Sequence, residues 1–189
     1  MRSTRLLRIL LAWILGLAAA PAALATYNPN GLKGGYACTY ALTTTQAIAN
    51  ADNTQALSGY TKIFDNAETT GAAWYSAGSP TRFTVPATAP TGTYLVMACI
   101  DWPKSGANSH CEFTKIYKNG SFYLSFGMLD NNATSGSSSG CMPLIMSLTA
   151  GDYIEVYGYQ ASGVSVTILG TGAVGGDTSY VSITYLPGQ

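Results

Sequence analysis

The chain has 189 residues and carries nine basic and nine acidic side chains, so its formal net charge at pH 7 is zero. Only 10% of the residues are charged, and no cluster of lysine and arginine occurs, so the sequence lacks the electrostatic signature of a nucleic-acid-binding protein. Glutamate, lysine and arginine, which favour helices, are scarce, whereas glycine, serine, threonine, alanine and tyrosine are plentiful. This composition predicts an all-β extracellular module.

The first 25 residues have the organisation of a targeting segment. Three arginines form a basic head, an apolar run follows from Ile9 to Ala20, and Ala23-Leu24-Ala25 is a small-x-small cleavage signal. We interpret Met1–Ala25 as a secretory signal peptide rather than an uncleaved anchor, because a membrane span needs about twenty apolar residues. Its removal takes away three of the nine basic residues, so the mature chain has a formal net charge of −3. No later segment is long and apolar enough to cross a membrane.

The remaining chain has the length of one domain. Its first residues, Thr26–Tyr36, are mostly turn formers and are predicted to be a linker, so the folded domain is expected to span Ala37–Gln189.

The domain is predicted to begin with short strands separated by turns. Tyr36–Thr45 alternates with the two-residue period of a strand, and Thr61–Asp65 is a second short strand. Ala72–Ser76 is expected to pair back on it after a turn. Between the first two strands, Gln46–Leu57 is either a short helix or a loop, and its asparagines and aspartate favour the loop.

The most apolar segment of the domain is Thr93–Trp102. Because it is apolar on both faces, it is predicted to be a central strand that is covered on each side. Three prolines between Ser79 and Pro90 confine Phe83 and Val85 to an edge segment just before it.

A hairpin is predicted next along the chain. Lys118-Asn119-Gly120-Ser121 contains Asn-Gly, the strongest short hairpin signal, and it joins Cys111–Tyr117 to Ser121–Met128. A low-complexity loop, Asp130–Gly140, is expected to follow and to be mobile.

A second hairpin is predicted over Leu148–Gln160, turning at Gly151-Asp152. Beyond the turn, alternation sends Ile154, Val156 and Gly158 towards a core; the opposite face carries Tyr153, Glu155, Tyr157 and Tyr159. Two further strands, Val164–Leu169 and Ser179–Leu186, bring the total to about ten, with the turn spacing of a β-sandwich or jelly roll.

The four cysteines fall on predicted strands or at their ends. In a secreted chain an even number predicts two disulfides, with three possible pairings, although buried free thiols are the alternative. A zinc site is not expected, because there is no CxxC spacing and His110 is the sole histidine. The cysteines are Cys38, Cys99, Cys111 and Cys141.

The order of several short motifs resembles the globular head of complement component one q. The resemblance covers roughly Ala37–Leu186. It rests on Phe64-Asp65-Asn66, Trp74-Tyr75, Arg82-Phe83-Thr84-Val85-Pro86, Gly92-Thr93-Tyr94-Leu95-Val96, Lys118-Asn119-Gly120, Leu148-Thr149-Ala150-Gly151-Asp152 with its tyrosine-rich strand, and Tyr180–Leu186.

This resemblance implies a ten-stranded jelly roll of the complement-1q and tumour-necrosis-factor superfamily, whose members are compact homotrimers. The sequence departs from the family pattern in two ways. There is no Gly-X-Y collagen stalk, and Val96 and Ala98 stand where the family prefers aromatic residues. The chain is more similar to stalkless members from secreted microbial or phage-encoded proteins.

The resemblance also implies roles for particular residues. Tyr94, Val96, Ala98 and Ile100 would fill the core, while Leu95, Met97 and Cys99 would face a neighbouring subunit. Tyr153, Tyr157 and Tyr159 are candidates for the same interface. Cys99 and Cys141 would lie on neighbouring strands of the inner sheet, which makes them the first pairing to test.

No catalytic machinery is predicted, so we do not expect an enzyme. Neighbouring strand residues such as His110 and Cys111 face opposite ways and cannot form a catalytic pair by adjacency. Calcium is the one cofactor considered, since some members of the family hold it with loop carboxylates, and Asp101, Asp130 and Asp177 fall in predicted loops.

Two functions of different classes follow. The first is a secreted, non-catalytic homotrimeric module that binds an extracellular protein or glycan through its loops, with no membrane span after signal cleavage. The alternative is the structural head of a larger surface or fibre assembly. The loop residues expected to contact a ligand are Lys104, Asn108, His110, Asn131 and Asn132.

Overall fold

The computed structural model of the protein describes residues 36–52, 54–67, 73–103, 110–130, 137–171 and 178–188, without the side chains of 110, 128–130, 137 and 138. This part of the chain is almost wholly β-structure and contains eleven strands. They are β1 (Ala37–Leu42), β2 (Gln46–Ile48), β3 (Tyr60–Asp65), β4 (Arg82–Thr84), β5 (Gly92–Pro103), β6 (His110–Lys118), β7 (Ser121–Asp130), β8 (Ser137–Leu148), β9 (Tyr153–Gln160), β10 (Val166–Ile168) and β11 (Tyr180–Tyr185).

The strands form a sandwich of two main antiparallel sheets. One has five strands in the order β3-β1-β11-β5-β8, and the other has four in the order β4-β9-β6-β7. A two-stranded ribbon of β2 and β10 accompanies them. The first and last strands are neighbours in the five-stranded sheet, and the chain passes from one main sheet to the other at β3–β4, β4–β5, β5–β6, β7–β8 and β8–β9, so the predicted all-β jelly roll is confirmed.

The core between the sheets comes from alternate residues of the long strands. On β5 the side chains of Tyr94, Val96, Ala98 and Ile100 are all buried, as the resemblance implied. β5 pairs with β11 on one side and over its whole length with β8 on the other. Its central place in the sheet explains why this segment is so apolar.

The β6–β7 hairpin forms where Asn-Gly predicted it. Asn119 and Gly120 have φ values of 52° and 76°, so both central residues of the turn are in the left-handed region that a type I′ turn requires. Gly120 meets this requirement without steric cost, and asparagine tolerates it better than most residues.

The second predicted hairpin is wrong. β8 belongs to the five-stranded sheet and β9 to the four-stranded sheet, so the turn at Gly151-Asp152 carries the chain across the sandwich. Val85 holds this crossover, since its amide donates to the Asp152 carbonyl at 2.8 Å and its carbonyl accepts from the Gly151 amide at 3.0 Å. The predicted alternation along β9 is confirmed, with Ile154, Val156 and Gly158 buried.

In two further segments the structure differs from the prediction. Gln46–Ile48, expected to be part of a loop, forms β2 and pairs with β10. In the segment expected to be a strand from Ala72 to Ser76, Tyr75 makes only an isolated bridge to Phe83. Phe83 itself lies on β4, at the edge of the four-stranded sheet, where the flanking prolines placed it.

Candidate subunit-contact surfaces

The outer face of the five-stranded sheet carries apolar side chains on β5 and β8 that one copy of the chain does not fully bury. Leu95 and Met97 point away from the core on β5 and are only partly buried, while Ile145, directly opposite Leu95 on β8, is 64% exposed. At the other side of the sheet, Phe64 on β3 is 50% exposed. Two cross-strand rows of this face contain no charged residue: Phe64–Thr39–Ser182–Met97–Pro143 and Ala37–Thr184–Leu95–Ile145. Further along β5 the same face is covered within one copy, since Cys99 and Asp101 are buried.

A second apolar surface lies at one open edge of the sandwich. β7 and β8 are the outermost strands of their sheets and approach each other there. Leu124 and Phe126 point towards the inside of the sandwich, because they pair with the buried Ile116 and Thr114. They are nevertheless 42% and 44% exposed, since no further strand among the described residues covers them.

These two surfaces leave large apolar side chains in water on a single copy of the chain. Contiguous apolar patches of this kind mark interaction sites in soluble proteins. Leu95 and Met97 were identified from the sequence, whereas Phe64, Leu124, Phe126 and Ile145 were not. The available signal was that β7 and β8, like β5, are apolar at both odd and even positions.

The three tyrosines expected at the same interface lie elsewhere. Tyr153, Tyr157 and Tyr159 project from the outer face of the four-stranded sheet, opposite in direction to Leu95 and Met97 across the sandwich. They do not share a surface with those residues. Alternation indicates which residues share a face of a strand, but not to which sheet the strand belongs, so the part of these tyrosines in a subunit contact stays a prediction.

On the four-stranded sheet these tyrosines pack against their own neighbours. Tyr157 and Tyr117 have ring centroids 4.2 Å apart, and the Lys115 ammonium lies 4.2 Å from the Tyr159 ring centroid. Burial, and next the neighbouring Glu155 carboxylate, raise the pKa of Tyr157. Cross-strand aromatic and cation–π pairs of this kind stabilise a sheet, so the tyrosine face already has a structural role.

The Arg82 end of this sheet is organised by an ion pair. Arg82 Nε lies 3.3 Å from Glu155 Oε1, and the Thr81 hydroxyl donates to the same oxygen at 2.8 Å. The guanidinium of Arg82 also stacks 4.2 Å from the Tyr153 ring centroid. The buried Glu155 carboxylate is therefore satisfied by two side chains rather than presented for catalysis.

One disulfide is present, between Cys99 and Cys141. It joins directly opposed residues of β5 and β8, which is the pairing that the resemblance favoured, and it lies on the outer face of the five-stranded sheet. The second predicted disulfide is wrong, because Cys38 and Cys111 are free. They cannot meet: Cys38 is buried on β1 of the five-stranded sheet, while Cys111 points outward from β6 of the other sheet.

Most of the residues expected to contact a ligand lie outside the described part of the chain. Lys104, Asn108, Asn131 and Asn132 are in this group, and Asp177, a predicted calcium ligand, also lies outside the described residues. His110 is described only by its backbone, which begins β6 and pairs with Asp130 at the end of β7. The prediction that His110 and Asp130 lie in loops is therefore wrong.

The structure also corrects the proposed calcium ligand Asp101. It is buried inside β5 rather than in a loop, and its Oδ1 accepts from the Ser139 hydroxyl at 3.2 Å. Within the described ranges, no group of three His, Cys, Asp or Glu side chains is close enough together to hold a metal ion. No helix among the described residues is long and apolar enough to cross a membrane.

Comparison with known proteins gives likeness in structure but not in sequence. No protein-family profile and no curated protein matches the sequence. The TNF Eiger from S. frugiperda aligns over 81% of this chain and 93% of its own, with 12% identity and a TM-score of 0.57.

Two further solved structures show the same likeness. Murine APRIL aligns over 80% of this chain and 99% of its own, with 10% identity and a TM-score of 0.50. The globular domain of zebrafish complement 1qA aligns over 80% and 97%, with 15% identity and a TM-score of 0.50. The chain therefore has the jelly-roll fold that tumour necrosis factors share with the globular domains of complement 1q.

Proposed function

We propose that this protein is a secreted, non-catalytic homotrimer that binds an extracellular protein or glycan. The observation that carries the proposal is the pair of apolar surfaces that one copy leaves exposed: the outer face of the five-stranded sheet and the open β7–β8 edge. Burying both would remove large side chains such as Ile145 and Phe126 from water at no cost in buried charge.

The two surfaces are different, so their contact is head-to-tail. The edge of one copy, with Leu124 and Phe126, packs on the face of the next, with Leu95 and Met97. A head-to-tail contact either closes into a ring or runs on as a filament. We propose closure after three copies, in line with the homotrimers that the complement-1q resemblance implies.

Secretion and ligand contact complete the proposal. The signal-peptide pattern of Met1–Ala25 and the Cys99–Cys141 disulfide both suit an oxidising extracellular compartment. We propose that the ligand meets the segments around Lys104–His110 and Asp130–Gly140, and that three copies add avidity to weak single contacts.

Paired charge substitutions test the contact. Ile145→Lys places an ammonium on the proposed contact face, at a side chain that is 64% exposed in one copy and so is replaceable without disturbing the fold. We expect it to convert trimer to folded monomer, measured by light scattering on a sizing column with circular dichroism as the check on folding. The matched control is Val164→Lys, a similarly exposed apolar side chain in the β9–β10 connection, which should leave the trimer intact.

A third variant distinguishes the two sheets. If Tyr157→Lys dissociates the protein while Ile145→Lys does not, the subunit contact is made by the four-stranded sheet and the proposed surfaces are wrong. A trimer that survives all three substitutions would equally contradict the proposal.

A further inference from the structure

The tip of the β6–β7 hairpin is clamped to the start of β9 through the side chain of Asn119. Its Nδ2 donates to Asp152 Oδ1 at 2.7 Å, and its Oδ1 accepts from the Tyr153 amide at 2.9 Å. The Asn119 amide also donates to the Tyr153 carbonyl at 2.9 Å. The asparagine side chain thus extends the backbone pairing of β6 and β9 by one residue beyond Lys118 and Ile154.

Asp152 is held in place from three sides. Besides Asn119, Lys118 Nζ lies 3.0 Å from Asp152 Oδ2, and the Thr149 amide donates to the same oxygen at 3.0 Å. Partial burial raises the pKa of Asp152, but the hydrogen bonds from Asn119, Lys118 and Thr149 outweigh it and lower the pKa overall from its usual 3.8. The acceptor of the Asn119 carboxamide is therefore a charged carboxylate at neutral pH.

Asn119 is followed by Gly120, and this dipeptide has a reactivity of its own. The amide nitrogen of the glycine can attack Cγ of the asparagine, forming a C–N bond and expelling ammonia to give a cyclic imide. Water then opens the imide to aspartate or isoaspartate. The net reaction consumes one water and releases one ammonia, with no change in oxidation state. It requires the carboxamide to rotate over the following peptide nitrogen.

We propose that Asn119 is a site of hydrolytic deamidation. In the folded protein its hydrogen bonds to Asp152 and Tyr153 protect it from this reaction. This inference goes beyond the proposed function and does not depend on it. The clamp holds both polar atoms of the carboxamide in hydrogen bonds to Asp152 and Tyr153, which must break before the carboxamide can rotate freely. The Tyr153 side chain adds cover, because its hydroxyl would be 3.1 Å from a Cβ built at Gly120. Deamidation then proceeds only when this end of the sandwich opens.

Once residue 119 is deamidated, its hydrogen bonds to Asp152 and Tyr153 do not re-form. A deamidated residue 119 has lost the Nδ2 donor and carries a carboxylate where Asp152 already presents one. Two carboxylates within hydrogen-bond distance repel each other, and the Tyr153 amide alone does not restore the clamp. Isoaspartate also lengthens the backbone in a turn whose two central residues both need positive φ.

Peptide mapping by mass spectrometry tests the proposal on the purified protein. Folded wild-type protein and protein unfolded in urea are incubated at mildly alkaline pH, and the replacement of the Asn119 amide by a hydroxyl is followed with time. We expect Asn119 to react at least about tenfold more slowly in the folded protein, because attack needs local opening. Asn30-Gly31, the other Asn-Gly dipeptide of the sequence, reports the chemistry of the buffer in the same sample.

Asp152→Ala is the variant that opens the clamp. It should bring the folded-state rate at Asn119 close to the rate in urea, while circular dichroism remains that of wild type. Equal rates in folded and unfolded wild-type protein would overturn the proposal without any variant. Continued protection of Asn119 in folded Asp152→Ala would overturn the role of the clamp.

Two variants at residue 119 test whether deamidation prevents the hydrogen bonds from re-forming. Asn119→Asp reproduces the aspartate product, and Asn119→Gly removes the same hydrogen bonds without adding charge while tolerating positive φ. We expect a lower unfolding midpoint for Asn119→Asp than for Asn119→Gly at neutral pH. If Asn119→Asp matches or exceeds Asn119→Gly in stability, carboxylate repulsion does not hold the clamp open.

Discussion

The buried Asp65 carboxylate organises a part of the core that is otherwise aromatic. Its Oδ2 accepts from the Tyr40 hydroxyl at 2.6 Å and from the Trp74 amide at 2.9 Å, and its Oδ1 accepts from the Ala67 amide at 2.9 Å. Tyr40 also packs its ring edge-on against Phe83, with centroids 5.7 Å apart. The Asp65 carboxylate therefore connects the segment that follows β3 to β1.

Tyr40→Phe should lower the free energy of unfolding by about 1–3 kcal/mol, because it keeps the ring and removes one hydrogen bond to a buried carboxylate. Urea denaturation monitored by tyrosine and tryptophan fluorescence measures the change. Tyr123→Phe, at an exposed tyrosine on β7, is the control and should be neutral. If the two variants are equally stable, the Asp65 contact contributes nothing to the folded state.

The two free cysteines differ in accessibility. Burial, and next the nearby Asp65 carboxylate, raise the pKa of the Cys38 thiol well above its usual value, and no part of this side chain reaches solvent. Cys111 lies on the outer face of the four-stranded sheet and is partly exposed. Since the thiolate is the reactive form, only Cys111 has access to a reagent in the folded protein.

Iodoacetamide should accordingly label Cys111 alone in the native protein without reductant. In denaturant it should label Cys38 and Cys111, and after reduction all four cysteines, as read from intact mass and peptide mapping. Failure of both thiols to react in denaturant would mean that a second disulfide exists. The sequence left this point open because an even cysteine count does not show which strands lie side by side.

At the scale of elements, the disulfide fastens an edge strand to a central one. Cys99 and Cys141 are 42 residues apart in sequence, and in the part of the chain that the structure describes β8 pairs with β5 alone. Closing a loop of this length removes conformational freedom from the unfolded chain.

Replacing both Cys99 and Cys141 with serine should lower the free energy of unfolding by about 2–4 kcal/mol, while the protein stays folded through the remaining β5–β8 hydrogen bonds. Urea denaturation compares this variant with Cys111→Ser, which breaks no bond and should be close to neutral. A double variant as stable as wild type would show that the β5–β8 ladder alone fixes the edge.

Local patterns predicted the elements whose cause is local. The Asn-Gly turn, the alternation along β9 and the proline-bounded β4 depend on backbone conformations that a few residues impose. The crossover after β8 could not be predicted in the same way, because Gly151-Asp152 specifies a reversal of the chain but not the sheet that receives it. β10 lies within the predicted strand Val164–Leu169, whereas its partner β2, three residues long, was expected to be part of a loop.

The same distinction between local and topological causes applies to the candidate contact surfaces. The resemblance put forward Leu95 and Met97, and the apolar character of β5 at successive positions, which one covered face does not explain, agrees with it. The exposure of Leu124 and Phe126 depends on β7 being outermost in its sheet, and the position of the tyrosines depends on β9 belonging to the other sheet. Both are properties of the assembled topology, which strand-by-strand alternation does not contain.

At the scale of the whole molecule, one copy of the chain leaves apolar side chains in water at two places. They are the part of the five-stranded sheet around Leu95, Met97 and Ile145, and the open β7–β8 edge. The tyrosine face of the other sheet is different, since its rings and cations are already paired with one another. The distribution of unpaired apolar surface therefore points to self-association through the five-stranded sheet.

The solution mass of the protein without Met1–Ala25 tests this account most directly. Multi-angle light scattering on a sizing column, over a range of protein concentrations, should give three times the mass of one chain. A monomer at all concentrations would contradict the account, since the outer face of the five-stranded sheet and the β7–β8 edge would then remain exposed to water without a partner.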